Sequence, residues 1–130
     1  MNLREASILI LEEKADELWR LEQYLLDQGH AVLSASSLEA ALEHLNSPAV
    51  IDLCLLDEQL TGPHTAGQLV EACLPVRPLM RVLGLSSSKP RVVDDSVPYP
   101  ALLKPIRLDE LERAIEHTLC RSAITPWQEF

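Results

Sequence analysis

The sequence predicts a small doubly wound α/β domain, with five parallel strands and helices on both faces. Two observations carry this. Short aliphatic runs such as SILIL at Ser7 to Leu11 and IDLCLL at Ile51 to Leu56 are too brief for helices and suit strands buried on both faces. Between such runs the apolar residues recur at helical spacing, and strands alternating with helices imply right-handed βαβ crossovers onto one parallel sheet.

In chain order, Ser7 to Leu11 is the first strand. From Ala15 to Gln28, Leu18, Leu21, Leu25 and Leu26 form one apolar face behind acidic early residues, and Gly29 stands where the helix would stop. Trp19 in this helix is expected to pack at its rim, the alternative being a partly exposed anchor for a partner. Ala31 to Ala35 reads as the second strand. Ser36 followed by Glu39 gives a capping box that opens a helix through Ala40, Ala41, Leu42 and Leu45, ended by Asn46 and Pro48. Ile51 to Leu56 is the third strand, closed by Asp57. After Gly62 and Pro63, Ala66 to Leu74 has a helical pattern; Pro75 and Pro78 break it before a fourth strand at Leu79 to Leu85. Ser86 to Pro100 carries Pro90, Pro98 and Pro100 and little periodicity. Ala101 to Leu103 makes a short fifth strand, and Leu108 to Leu119 a last amphipathic helix with Leu111, Ala114, Ile115 and Leu119 on one face.

Composition narrows the function. The chain has 130 residues, enough for one domain with a real core, and is 47% hydrophobic and 24% charged, as soluble globular domains are. No apolar run approaches the roughly 18 residues that span a bilayer, and the apolar start ending in Glu12 and Glu13 does not read as a signal peptide. A net charge of −9 disfavours direct nucleic-acid binding, and 4% aromatic residues disfavour base stacking. Cys54, Cys73 and Cys120 are widely spaced, with no CxxC or paired-histidine pattern. A disulfide framework or a zinc site is not expected, and a reducing cytoplasmic setting is.

Ligands of open α/β sheets bind outside the carboxyl ends of the strands. Here the first strand ends in Glu12-Glu13, the third in Asp57, the fourth in Ser86-Ser87 and the fifth in Lys104-Pro105. One such residue is usually a solvated helix-start charge or a loop polar group. Acids, hydroxyls and an amine delivered to one edge make a set that can hold a hard divalent cation, offer a carboxylate nucleophile to a phosphoryl donor, and neutralise the transferring group. There is no G-x-S-x-G elbow, no G-x-x-x-x-G-K-[ST] loop and no D-x-D pair at Asp57, where Glu58-Gln59 follows, so an unrelated α/β hydrolase or phosphatase has little support.

With ILILEE, IDLCLLDEQL, LGLSS and LLKPI in this order, the chain resembles the receiver domain of bacterial two-component response regulators, from about Ile8 to Leu119. The resemblance implies a flavodoxin-like, chemotaxis-regulator-like fold with strand order 2-1-3-4-5. It divides the chain into a receiver domain at 1–120 and a C-terminal extension or linker stub at 121–130. It makes Asp57 the phosphoacceptor and Lys104 and Ser86 its catalytic companions. Glu12, Glu13, Asp57 and the backbone carbonyl of Gln59 become ligands of Mg²⁺, and Ser86, Ser87 and Lys104 bind the phosphoryl group. Pro105 falls where a cis bond is common in the family.

Three departures bear on mechanism. The acidic pair is Glu-Glu where the family usually has Asp, so each carboxylate is one methylene longer. The aromatic switch position, three residues before the lysine, is Ala101; Tyr99 lies near but is offset along the strand and is not expected to substitute. The stretch from Ser86 to Lys104 is short and proline-studded, so the family's fourth helix is expected to be short or missing.

The implied function is a non-enzymatic signalling receiver in a phosphorelay. It would accept a phosphoryl group from a histidine kinase or phosphotransfer protein and act on an output partner or domain, with homodimerisation compatible. The alternative is a degenerate pseudo-receiver that binds proteins without phosphorylation.

Overall fold

The computed structural model describes residues 5–59, 75–86 and 99–120. The expected helix at Ala66 to Leu74, the short or missing fourth helix, Ser87 and the 121–130 extension lie outside the described residues. Chain order is β1 (Ser7–Leu11), α1 (Ala15–Asp27), β2 (Ala31–Ala35), α2 (Leu38–Leu45), β3 (Leu53–Asp57), β4 (Arg81–Ser86), β5 (Ala101–Leu103) and α3 (Leu108–Cys120), labelled over the described elements. The five strands form one parallel sheet in the order β2-β1-β3-β4-β5, the order expected.

Alternation along the central strands builds two cores. Ile8, Ile10, Leu53, Leu55, Leu83 and Leu85 pack on one face against Leu21 and Leu25 of α1 and Leu111 and Ile115 of α3. Leu9, Leu11, Cys54, Leu56 and Val82 pack on the other against Ala41 and Leu45 of α2. Cys54 is therefore a small core residue. Each fully buried leucine contributes about 1.5–3 kcal/mol of transfer free energy, and the central strands supply most of them.

Helix ends carry the local sequence logic. α1 ends in a Schellman motif: the His30 N–H donates to the Leu25 carbonyl at 3.1 Å and the Gly29 N–H to the Leu26 carbonyl at 3.0 Å. Gly29 is at φ 94, where only glycine is unstrained. His30, buried just beyond, accepts the Ala6 N–H on Nδ1 at 3.1 Å and so pins the helix end to the start of β1. α2 is capped by Ser37, not Ser36: Ser37 is the extended residue before the helix, and its hydroxyl accepts the Ala40 N–H at 3.1 Å. Trp19 is 63% exposed and is not a rim packing residue, because the core face of α1 turns on Leu21 and Leu25.

Asp52 and Arg77 tie the amino edge of the sheet. The Asp52 side chain accepts the Ser7 N–H at 2.8 Å, and its carbonyl accepts the Arg81 N–H at 3.0 Å. The Arg77 guanidinium donates to the carbonyls of Leu45 and Ser47, neutralising the carboxyl end of α2. The opposite edge is left for the polar residues.

Candidate functional site

Each strand ladder runs one step past its strand and aims a side chain at the carboxyl edge. The Glu12 N–H donates to the Ala35 carbonyl at 3.0 Å, the Glu58 N–H to the Leu85 carbonyl at 2.9 Å, and the Lys104 N–H to the Ser86 carbonyl at 2.7 Å. The Lys104–Pro105 peptide is cis. Arg20, held by Glu17 in a two-pronged ion pair, donates to the Ile106 carbonyl at 2.7 Å and fixes the turn that follows Lys104 against α1.

Three side chains converge. The Lys104 ammonium stands 3.1 Å from Glu12 Oε1 and 3.1 Å from Asp57 Oδ1. Glu12 is fully buried and Asp57 nearly so. Asp57 Oδ1 also accepts the Gln59 N–H at 3.0 Å, which sets the rotamer of the carboxylate. Ser86 is buried one register step beyond the Asp57–Leu85 pair on the adjacent strand.

The electrostatics follow from burial. Desolvation, followed by the Asp57 charge, pushes the Glu12 carboxyl above the usual glutamate range, against the Lys14 N–H and the Lys104 ammonium. Burial opposes the charge on Lys104, but its contacts with Asp57 and Glu12 outweigh it and hold the ammonium above the usual lysine value.

The two members of the acidic pair differ in burial. Glu12 turns inward, whereas Glu13 is exposed at the rim. Among the described residues no group of three His, Cys, Asp or Glu side chains is arranged around one metal position. A divalent cation nevertheless has a fitting donor. Glu12 Oε1 is buried, and among the described residues its one close polar neighbour of note is the Lys104 ammonium, an ion pair at 3.1 Å that leaves it without a hydrogen bond of good geometry. With Asp57 beside it, that oxygen suits Mg²⁺, which needs only one or two carboxylates and keeps waters.

Periodicity treats Gly84 as one more member of an apolar run, although an isolated glycine inside a strand signals close approach. A β-carbon at Gly84 would stand 2.5 Å from Glu58 Oε2 and 3.1 Å from Tyr99 Cε1. Glu58 and Tyr99, neither of them expected at the site, thus meet over β4 two residues before Ser86.

No protein-family model and no curated protein sequence matches the chain. Solved structures do. A CheY-like response regulator receiver domain protein from Methanospirillum hungatei JF-1 superposes with a TM-score of 0.76 at 22% identity, over 89% of this chain and 94% of that one. A response regulator receiver protein from Sinorhizobium medicae WSM419 gives 0.74 at 26% identity, over 91% and 97%. The N-terminal domain of a response regulator/sensory box/GGDEF 3-domain protein from Carboxydothermus hydrogenoformans gives 0.75 at 25% identity, over 87% and 93%. Most of this chain has the fold of CheY-like response regulator receiver domains. Among the described residues no helix is long and apolar enough to cross a membrane.

Proposed function

We propose that this chain is a phosphorelay receiver whose Asp57 accepts a phosphoryl group from a histidine kinase or phosphotransfer protein in the cytoplasm. The observation that carries the reading is the convergence of Glu12, Asp57 and Lys104 at the carboxyl edge of a receiver fold. An Asp57 oxygen attacks the phosphorus of a phosphohistidine. The P–N bond breaks, its electron pair stays on the imidazole nitrogen, which takes a proton from solvent, and an acyl phosphate forms on Asp57. Among the described residues both hydrogen bonds to the carboxylate fall on Oδ1, which favours Oδ2 as the nucleophile. Lys104 neutralises charge beside it, and Ser86 and Ser87 would hydrogen-bond the phosphoryl oxygens.

Mg²⁺ would be held by Glu12, Asp57 and the Gln59 carbonyl, with Glu13 at the rim, and would supply positive charge at the transferring group. The output is a protein partner or further domain that reads the altered face. The chain turns over no metabolite in this reading.

A second reading has its own support. Lys104 already lies between Glu12 and Asp57 and serves as counter-ion to both carboxylates, while Glu13 is exposed. That closed arrangement suits a pseudo-receiver that binds partners without phosphorylation.

Intact-mass spectrometry after incubation with acetyl phosphate, with and without Mg²⁺, separates the two. The receiver reading expects a Mg²⁺-dependent gain of one phosphoryl group that is absent in Asp57→Ala. No gain by folded protein supports the pseudo-receiver.

A further inference from the structure

The amino edge of the sheet, opposite Asp57, carries an uncovered apolar surface. Val50, just before β3, is 68% exposed, and Val76 and Leu79, just before β4, are 67% and 71% exposed. They are three of the six large apolar side chains exposed among the described residues. Their two segments are neighbours: the Arg77 guanidinium bonds the Leu45 and Ser47 carbonyls, and the Asp52 carbonyl accepts the Arg81 N–H. Pro48, Pro75 and Pro78, also exposed, extend the surface without adding charge. The side chains of Asp52 and Arg77 beside it are engaged with backbone groups. Apolar surface gathered in this way marks a place that another segment covers.

The chain itself brings an occupant to this edge. α3 starts beside the carboxyl edge and ends at the amino edge, where the Leu119 carbonyl accepts a hydrogen bond from Arg81 Nη1 at 3.1 Å. Leu79 precedes Arg81 by two residues, so the chain leaves α3 one arginine side chain and two residues away from the apolar surface. Residues 121–130 (RSAITPWQEF) then bring Ile124, Trp127 and the chain's one phenylalanine, Phe130, with Arg121 and Glu129 balancing in charge. Trp127 stands seven residues beyond Cys120, a reach of about 23–25 Å in extended chain. We propose that residues 121–130 fold back on the amino edge and seat Trp127 against Val50, Val76 and Leu79. An indole has the large apolar area to cover several aliphatic side chains at once. The docked segment lies at the edge opposite Asp57 and leaves the phosphoryl site open, so the proposal does not depend on phosphorylation.

The chain has two tryptophans, so Trp19→Phe leaves Trp127 as the one indole, and Trp19 is exposed enough to be replaced without touching the core. Emission wavelength and acrylamide quenching of Trp127 are read in the 130-residue chain at several protein concentrations, with the urea-unfolded protein as the fully accessible reference. Docking predicts blue-shifted emission and a quenching constant below that reference, both independent of concentration. Adding Leu79→Asp or Val50→Asp should abolish the protection, whereas Leu26→Asp, at an exposed position on α1, should keep it. The far-ultraviolet spectrum should be retained in all three, because each replaced side chain is exposed. A Trp127 as accessible in the folded chain as in the unfolded one overturns the proposal. Protection that survives both edge substitutions, or that Leu26→Asp removes as well, places the indole elsewhere and overturns it too. Protection that appears only as concentration rises makes a second copy the occupant and overturns the intrachain docking.

Discussion

The ammonium of Lys104 lies 3.1 Å from Oε1 of Glu12, a glutamate with no solvent exposure. An ionised carboxylate that deep is tolerated only with a counter-charge, and Lys104 supplies it while also holding Asp57. Lys104→Met should therefore destabilise the fold by about 3 kcal/mol near neutral pH, in the range for breaking a buried pair. Adding Glu12→Gln should recover much of that loss. The sign with pH follows from the raised Glu12 pKa: stability is full where Glu12 is protonated and falls as pH rises through its folded value. The deficit of the single variant should shrink as pH is lowered. Urea denaturation of both variants across pH checks this, and an additive double mutant would contradict it.

His30 gives a second pH dependence. Burial lowers its pKa from the ordinary value of 6.5, against the charges of Glu5 and Glu112, and its unprotonated Nδ1 accepts the Ala6 N–H. Its stabilisation is complete above the unfolded value and is lost as pH falls toward the folded one. Wild type should lose more stability than His30→Gln between about pH 7 and pH 5, read as the shift in denaturant midpoint. Parallel pH curves for the two proteins would refute the assignment.

Gly29 is set by backbone alone. A β-carbon there would meet nothing within 4 Å, but φ of 94 strains any other residue. Gly29→Ala should destabilise by about 1 kcal/mol with little change in the near-ultraviolet spectrum, and Gly29→Asn by less. Equal stability of wild type and the alanine variant would rule out the strained geometry.

Tyr24 is pushed up to about 12 by burial, by its hydrogen bond to Glu112 and by the charges of Glu112, Asp109 and Glu116. Because the neutral phenol is the favoured folded form, its contribution is present below the ordinary value of 10.0 and is lost as pH rises toward 12. Absorbance titration should show a phenol ionising late in wild type and earlier in Glu112→Gln.

Much of this was legible in the sequence, for identifiable reasons. β1, β2 and β5 begin and end where their apolar runs do, and Asp57 and Lys104 fall where strand ends deliver them. β3 and β4 start later than hydrophobicity suggests, because Ile51 and Leu79 precede the paired ladder; Leu79 is 71% exposed. Ser37 caps α2 in place of Ser36 because side-by-side serines differ only in backbone conformation. Glu12 and Glu13 are identical in composition and opposite in direction, and only the exit of the chain from β1 decides which one turns inward. The meeting of Glu58 and Tyr99 over Gly84 depends on cross-strand register, which no local pattern encodes.

The most direct test of Asp57 as acceptor is borohydride reduction after acetyl phosphate and Mg²⁺ treatment, followed by peptide mass spectrometry. Reduction of an acyl phosphate leaves homoserine, and the account predicts it at position 57 alone. Unmodified aspartate at 57, with phosphate elsewhere or nowhere in folded protein, would contradict the receiver function.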